Sequence, residues 1–326
     1  MHSQWKDKIW NSTGVSFSKT ALEIFHFQLE HNIVYREYVN ALSFQPGSIR
    51  TVSEIPFLPI RFFKTHEVKS ALFDPEVIFE SSGTTGITTS RHYIKETTLY
   101  KESFMRGFEL FYGSPKNWCI IGLLPSYLER KNSSLVYMVS ELIRESKNPD
   151  SGFYLNQLDE LAVLLKRLEI KKQKTLLIGV TFALLDFAEK YPMPLKHTTI
   201  METGGMKGRR KELIREEIHD ILKKAFEVKA IHSEYGMTEL LSQAYSKGNG
   251  NFSCPPWMQV LVRDDEDPLL VKNTGSGAIN IIDLANIHSC SFIATDDFGK
   301  VFADGSFHIS GRIDNSDLRG CSLMAI

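Results

Sequence analysis

Apolar positions recur along this chain in two rhythms, and the change from one to the other divides it. Over residues 21–39 they return on one helical face, at Leu22, Phe25, Leu29 and Ile33, which predicts a helical N-terminal segment packed as a cover on the main body. Pro46, Gly47, Pro56 and Pro59 then punctuate a loop. Over residues 118–231 short apolar runs alternate with helical stretches: WCIIGLL, a helix over 133–145, another over 158–168, TLLIGV, a helix over 182–190, HTTIM, a helix over 209–226, and VKAIH. Strands alternating with helices predict a parallel sheet covered on both faces. After residue 253 the pattern shortens to MQVLVR, GAINIID, SFIATDD, KVFA and SFHIS, which predicts an antiparallel, barrel-like part. The expected fold class is α/β: a parallel sheet flanked by helices, plus a C-terminal antiparallel barrel-like β subdomain. The expected divisions are a helical cover (1–50), an α/β core (51–252) and the β subdomain with a short C-terminal tail (253–326).

Composition narrows the function. Lys plus Arg (38) against Asp plus Glu (39) leaves the 326-residue chain near neutrality, which argues against a nucleic-acid partner held by a basic face. Lys207, Arg209, Arg210 and Lys211 form one basic cluster, readable as solvated surface or as phosphate-facing. No apolar run approaches the ~20 residues that span a bilayer. The first residues, MHSQWKDKIWN, lack the basic-then-apolar pattern of a secretory signal, so the cytoplasm is the expected compartment. Cys119, Cys254, Cys290 and Cys321 stand far apart with no metal spacing, against both structural zinc and a disulfide framework.

The richest stretch is ESSGTTG (80–86), which follows the apolar VIF and precedes a helix predicted over 96–112. Glycines there can turn backbone N–H groups inward, and Ser81, Ser82, Thr84 and Thr85 add hydroxyl donors, a composition suited to phosphate oxygens. An ordinary flexible turn is the competing reading. The stretch is neither a Walker motif nor a GxGxxG fingerprint. Three further segments follow in order: YGMTE (235–239), TDDFG (295–299) and GRID (311–314). METGG (201–205) and YGMTE both follow apolar runs, which places them at the carboxyl edge of the sheet, where ligands bind in such folds. Taken alone, METGG is equally a strand-to-helix turn, and YGMTE equally a helix start capped by Thr238 or Glu239.

Together these segments resemble the adenylate-forming superfamily, which joins carboxylic acids to AMP at the expense of ATP. Within it the chain is most similar to the acyl-protein synthetases of bacterial bioluminescence, the LuxE family. The resemblance runs from about Ile55 to the end, through IPFLPIRFFKTHEV (55–68), SSGTTGITTSRHY (81–93), LPSYLERKNSSLVYM (124–138), METGGMKG (201–208), PPWMQVLVRD (255–264) and GRIDNSDLRGC (311–321). It implies ATP and Mg²⁺ as cofactors. Ser82, Gly83, Thr84, Thr85 and Gly86 would wrap the β- and γ-phosphates, with Arg91 standing where the superfamily usually has a lysine. Gly204 and Gly205 would lie against adenine. Tyr235, followed by Gly236, would stack on it, Thr238 would bond the α-phosphate, and Glu239 would hold the metal. Asp297 and Arg312 would take the ribose hydroxyls, with Asp296 a turn residue, and Asp314 would be a hinge.

The same resemblance implies an acyl group passed from AMP to a cysteine of the protein, for which Cys321 is the candidate; a small buried residue is the plain alternative. The expected partners are a carboxylic, fatty acid substrate and an acyl-accepting protein or reductase, with no nucleic acid and no membrane span. The sequence ends at Ile326, soon after Asp314, so the superfamily's C-terminal domain and its adenylation lysine are not found in it. Two rivals stand beside an acyl-adenylate ligase using its own thiol: a ligase or acyltransferase for coenzyme A or a carrier protein, and a non-catalytic nucleotide-binding regulatory domain.

Overall fold

The computed structural model describes residues 2–42, 45–81, 89–124, 132–155, 157–204, 213–264 and 266–313. In chain order the elements begin with α1 (His2–Trp10), α2 (Val15–His31), α3 (Ile33–Ala41), β1 (Leu58–Pro59), α4 (Phe62–Thr65), β2 (Val77–Glu80) and β3 (Arg91–Ile94). They continue with α5 (Thr97–Tyr112), β4 (Cys119–Leu123), α6 (Ser134–Ser146), β5 (Gly152–Phe153), α7 (Leu158–Ile170), β6 (Thr175–Val180), α8 (Thr181–Lys190), β7 (Thr198–Thr203) and α9 (Arg215–Phe226). The last are β8 (His232–Tyr235), β9 (Ala244–Ser246), β10 (Met258–Arg263), β11 (Val271–Lys272), β12 (Gly275–Asp283), β13 (Phe292–Val301) and β14 (Phe307–Arg312). The chain forms two compact units, residues 74–255 and residues 1–73 together with 256–326.

In the continuous unit the sheet runs β5-β4-β6-β7-β8-β9, parallel except for the antiparallel last pair. Every residue of β4 and of β6 is buried, which requires cover on both faces and explains why these strands read as unbroken apolar runs. The helices α6, α7 and α8 lie within two residues of their expected bounds. The run VKAIH does not form a strand from its start. Glu227 leaves α9 in the left-handed region (φ 52°) and the Val228 N–H still donates to the Lys223 carbonyl, so pairing begins only at His232. Between ESSGTTG and α5 the chain inserts β3, which pairs antiparallel with β2.

The other unit carries a curled sheet of order β1-β13-β12-β10-β11, with β14 also on β13. SFIATDD and KVFA form the single strand β13, which puts Asp296 inside a strand rather than in a turn. The N-terminal helices pack on this sheet. Tyr35 stacks on Phe292 at 6.0 Å and Phe25 meets the same ring edge-on at 6.3 Å. Gln28 Nε2 donates to the carbonyls of Asn286 and Ile287, and Asn32 Nδ2 to that of Ser289. The single apolar face expected over 21–39 is corrected: Asn32 takes an extended conformation, ends α2 and caps α3 through Tyr35 N–H. The buried face of α2 therefore runs through Phe17, Ala21, Ile24, Phe25 and Gln28, while Ile33 is exposed.

Candidate functional site

The glycine-rich loop spans the tip of the β2–β3 hairpin. Its ends are tied together, with Ser81 N–H donating to Ser90 O (3.0 Å) and Ser90 N–H to Ser81 Oγ (2.9 Å). Ser82, Gly83, Thr84, Thr85 and Gly86 lie outside the described residues, as do Gly205, the basic cluster at 207–211, Asp314 and Cys321. Arg91 is the first residue of β3, exposed beside the loop and opposite Glu80.

At the carboxyl ends of β7 and β8 a polar network shapes the backbone. Glu202, buried on β7, accepts from Arg215 Nε (3.0 Å), Ser233 Oγ (3.1 Å) and Thr181 Oγ1 (3.2 Å), and lies 3.4 Å from His219 Nε2. Burial would raise its pKa, but the His219 hydrogen bond and the Arg215 charge outweigh it and hold the carboxyl below its usual range. Thr181 also donates to the carbonyl of Gly204 (2.9 Å), fixing a residue with φ of +72° that a side chain would strain. Glu202 was not singled out from sequence. Its signal was a carboxylate at the end of an otherwise apolar run, since an acidic side chain is rarely buried without partners.

Beyond β8, Tyr235 is buried against Phe252, with ring centroids 5.7 Å apart. Met237 to Leu240 form a turn closed by Leu240 N–H to Met237 O (3.2 Å), and no helix follows before β9. The helix-capping alternative for Thr238 and Glu239 is thereby removed. His92 Nδ1 lies 2.8 Å from the Thr238 carbonyl; because a carbonyl only accepts, that nitrogen carries the proton. Glu239 is a buried carboxylate on this turn.

Two further polar side chains border the same backbone. Glu234 accepts from Thr203 Oγ1 through Oε2, and burial raises its carboxyl to about 7. Its Oε1 lies so near Gly236 that a Cβ there would sit 2.4 Å away, with Gln243 Cγ at 3.4 Å. Gln243 is itself buried, and its Oε1 has no hydrogen-bond partner.

In the discontinuous unit Asp297 and Arg312 face each other across β13 and β14, with Nε 3.4 Å from Oδ1. Asp297 is buried and Arg312 mostly exposed. A bulge between Ala278 and Asn280 of β12 breaks the ladder opposite Thr295–Asp297. Arg263 fills the gap: Nη1 donates to Ile279 O (2.9 Å) and Asn280 Oδ1 (2.7 Å), and Nη2 donates to Thr295 O. Thr295 Oγ1 in turn accepts from Asp297 N–H (3.1 Å). The adjacent Asp296 points the other way, 3.9 Å from Arg61.

Among the described residues no three metal-ligating side chains gather, and no helix is long and apolar enough to cross a membrane. A single carboxylate such as Glu239 nevertheless suits magnesium carried on phosphates, and Gly204 and Gly236 keep side chains away from the strand ends where a nucleotide would approach.

No protein-family model matches the sequence, and no curated protein does. Among solved structures the chain is similar to ATP-bound MatB from Rhodopseudomonas palustris, at 17% identity over 74% of this chain and 50% of that one, with a TM-score of 0.55. It is similar to a 2-hydroxyisobutyryl-CoA ligase in the postadenylation state in complex with R3-HIB-AMP, at 13% identity over 92% of this chain and 68% of that one (TM-score 0.64). A third is a long-chain-fatty-acid-CoA ligase from Archaeoglobus fulgidus, at 16% identity over 76% and 53% (TM-score 0.52). The chain spans about half the length of the first and third. The likeness is one of fold: an α/β body with a curled antiparallel sheet, as in these ligases.

Proposed function

We propose that this chain activates a carboxylic acid with Mg·ATP as an acyl-adenylate and passes the acyl group to a thiol. The observation that carries the reading is the Asp297–Arg312 pair, 3.4 Å apart on adjacent strands of a fold shared with acid ligases. A buried aspartate can accept from both ribose hydroxyls while the arginine opposes phosphate charge. The reaction needs the acid's carboxylate to attack the α-phosphorus in line as pyrophosphate leaves, so two anions must be held face to face.

Within this reading Thr238 donates to the α-phosphate, Tyr235 stacks on the base with Gly236 beside it, and Gly204 and Gly205 pass close to it. Arg91 and the residues from Ser82 to Gly86 take the outer phosphates. Magnesium, held by Glu239 and phosphate oxygens, supplies the charge neutralisation. In the LuxE-like form of the reading the acid is a fatty acid, Cys321 is the thiol that accepts the acyl group, and a reductase removes it.

Acid-dependent ATP–pyrophosphate exchange tests the core of this reading. Glu239→Gln and Asp297→Asn are each expected to lower the exchange rate by about a hundredfold or more. Full rate in both variants would end the assignment. With a labelled acid, Cys321→Ser should still yield acyl-AMP but no covalently acylated protein; label retained on the variant removes Cys321 from the pathway.

A further inference from the structure

Gln243 is 4% exposed and its Oε1 has no hydrogen-bond partner, an arrangement that costs roughly 1–3 kcal/mol unless something supplies a donor. It does not stand alone. Its stem and the Glu234 carboxyl flank the same spot in front of Gly236, the one residue type that leaves this spot empty. Thr203 occupies Glu234 Oε2, which turns Oε1 toward the Gly236 backbone. Two side-chain acceptors therefore border one place, immediately before the Thr238–Glu239 turn and at the carboxyl edge of the sheet. The surrounding wall is polar as well as aromatic. Tyr112 and Tyr245 lie close enough for the Glu234 charge to raise both phenols, and Tyr112 Oη is 3.1 Å from His232 Nδ1.

We propose that Glu234 and Gln243 receive a hydrogen-bond-donating group, an amino or hydroxyl, carried by the acid that this site activates. The substrate class is then amino- or hydroxy-substituted carboxylic acids rather than plain fatty acids. The inference rests on the acyl-adenylate reading above and narrows it. The chemistry of the pair sets the choice: acceptor oxygens give an unsubstituted hydrocarbon nothing and leave themselves unpaired when one binds. A site built to bond a donor rejects the analogue lacking it far more strongly than an apolar pocket rejects an extra group.

The test uses the full chain and matched pairs of acids, each plain acid beside its hydroxy and amino derivatives, in two measurements. Pyrophosphate exchange gives kcat/KM, and calorimetry with a non-hydrolysable ATP analogue gives Kd without turnover. The wild type should favour the substituted member of a pair by roughly ten- to a hundredfold in both. In Gln243→Leu, and in Gly236→Ala, which fills the spot and leaves both side chains in place, that ratio should fall to within about threefold of unity. Preference for plain acids, or a ratio that survives both variants, overturns the proposal.

The 6-amino group of adenine offers the same chemistry. A purine triphosphate lacking it distinguishes the two: if the variants lose discrimination against that nucleotide and keep it between acids, the donor is the base and the proposal fails. If no acid supports exchange, the adenylation reading falls by itself, while the calorimetric ratio still decides whether this pair selects a donor.

Discussion

Arg263 shows how one side chain can aim another without touching a ligand. Three hydrogen bonds from its guanidinium hold the bulged backbone opposite Thr295, and that backbone carries Asp297 toward Arg312. Arg263→Ala leaves the Ile279 and Thr295 carbonyls without this donor, so urea unfolding should show a loss of about 2–4 kcal/mol. The motifs TDDFG and GRID brought Asp297 and Arg312 into view from the sequence, and the structure pairs them. Arg263 was inside a quoted motif, PPWMQVLVRD, yet nothing in it showed that the strand-end arginine crosses two neighbouring strands to reach a third residue's carbonyl. Register decides that, and register is a property of pairing.

At the scale of elements, polar residues inside helices decided what periodicity left open. Asn32 does three things: it breaks the helical rhythm, accepts from Tyr35 N–H to start α3, and donates to Ser289 O. Asn32→Ala should lower stability by about 2 kcal/mol in thermal or urea unfolding, more than an exposed helix cap alone would cost, because a buried carbonyl also loses its donor. The apolar spacing over 21–39 marked the region as helical. It misplaced the buried face because a one-residue break rotates everything after it. The strands TLLIGV and MQVLVR, by contrast, appear with the bounds of their apolar runs, since a buried strand needs only continuous hydrophobicity between turns.

For the molecule as a whole, buried titratable groups set the pH dependence of folding. Burial raises Glu234 to about 7, above its ordinary 4.5, so the folded chain holds that proton more tightly and the associated stability is lost as pH rises from about 4.5 to 7. Burial, then the charge of Lys247, lower His232 from 6.5 to about 4; the unfolded chain binds this proton better, and stability rises with pH over that interval. The two slopes oppose each other between about 4.5 and 6.5. The wild type should therefore be nearly flat there, whereas Glu234→Gln should become more stable with rising pH, on the order of 1 kcal/mol per pH unit. A variant curve parallel to the wild type in chemical unfolding would contradict the assignment.

The sequence by itself determined the local grammar: which stretches are strands, which are helices, where a parallel sheet gives way to antiparallel strands, and which short segments resemble nucleotide-handling motifs. Those properties depend on near neighbours and on the repeat of apolar positions, and both are written in the order of residues. Only the tertiary structure decided that residues 1–73 and 256–326 form one unit. It also decided that Glu202 ties together β7, α8 and α9, and that Glu234 and Gln243 border the same empty spot at Gly236. The reason is physical. Whether a polar side chain is satisfied, orphaned or charged depends on groups that burial brings against it from distant positions, and hydrophobic periodicity carries no record of them.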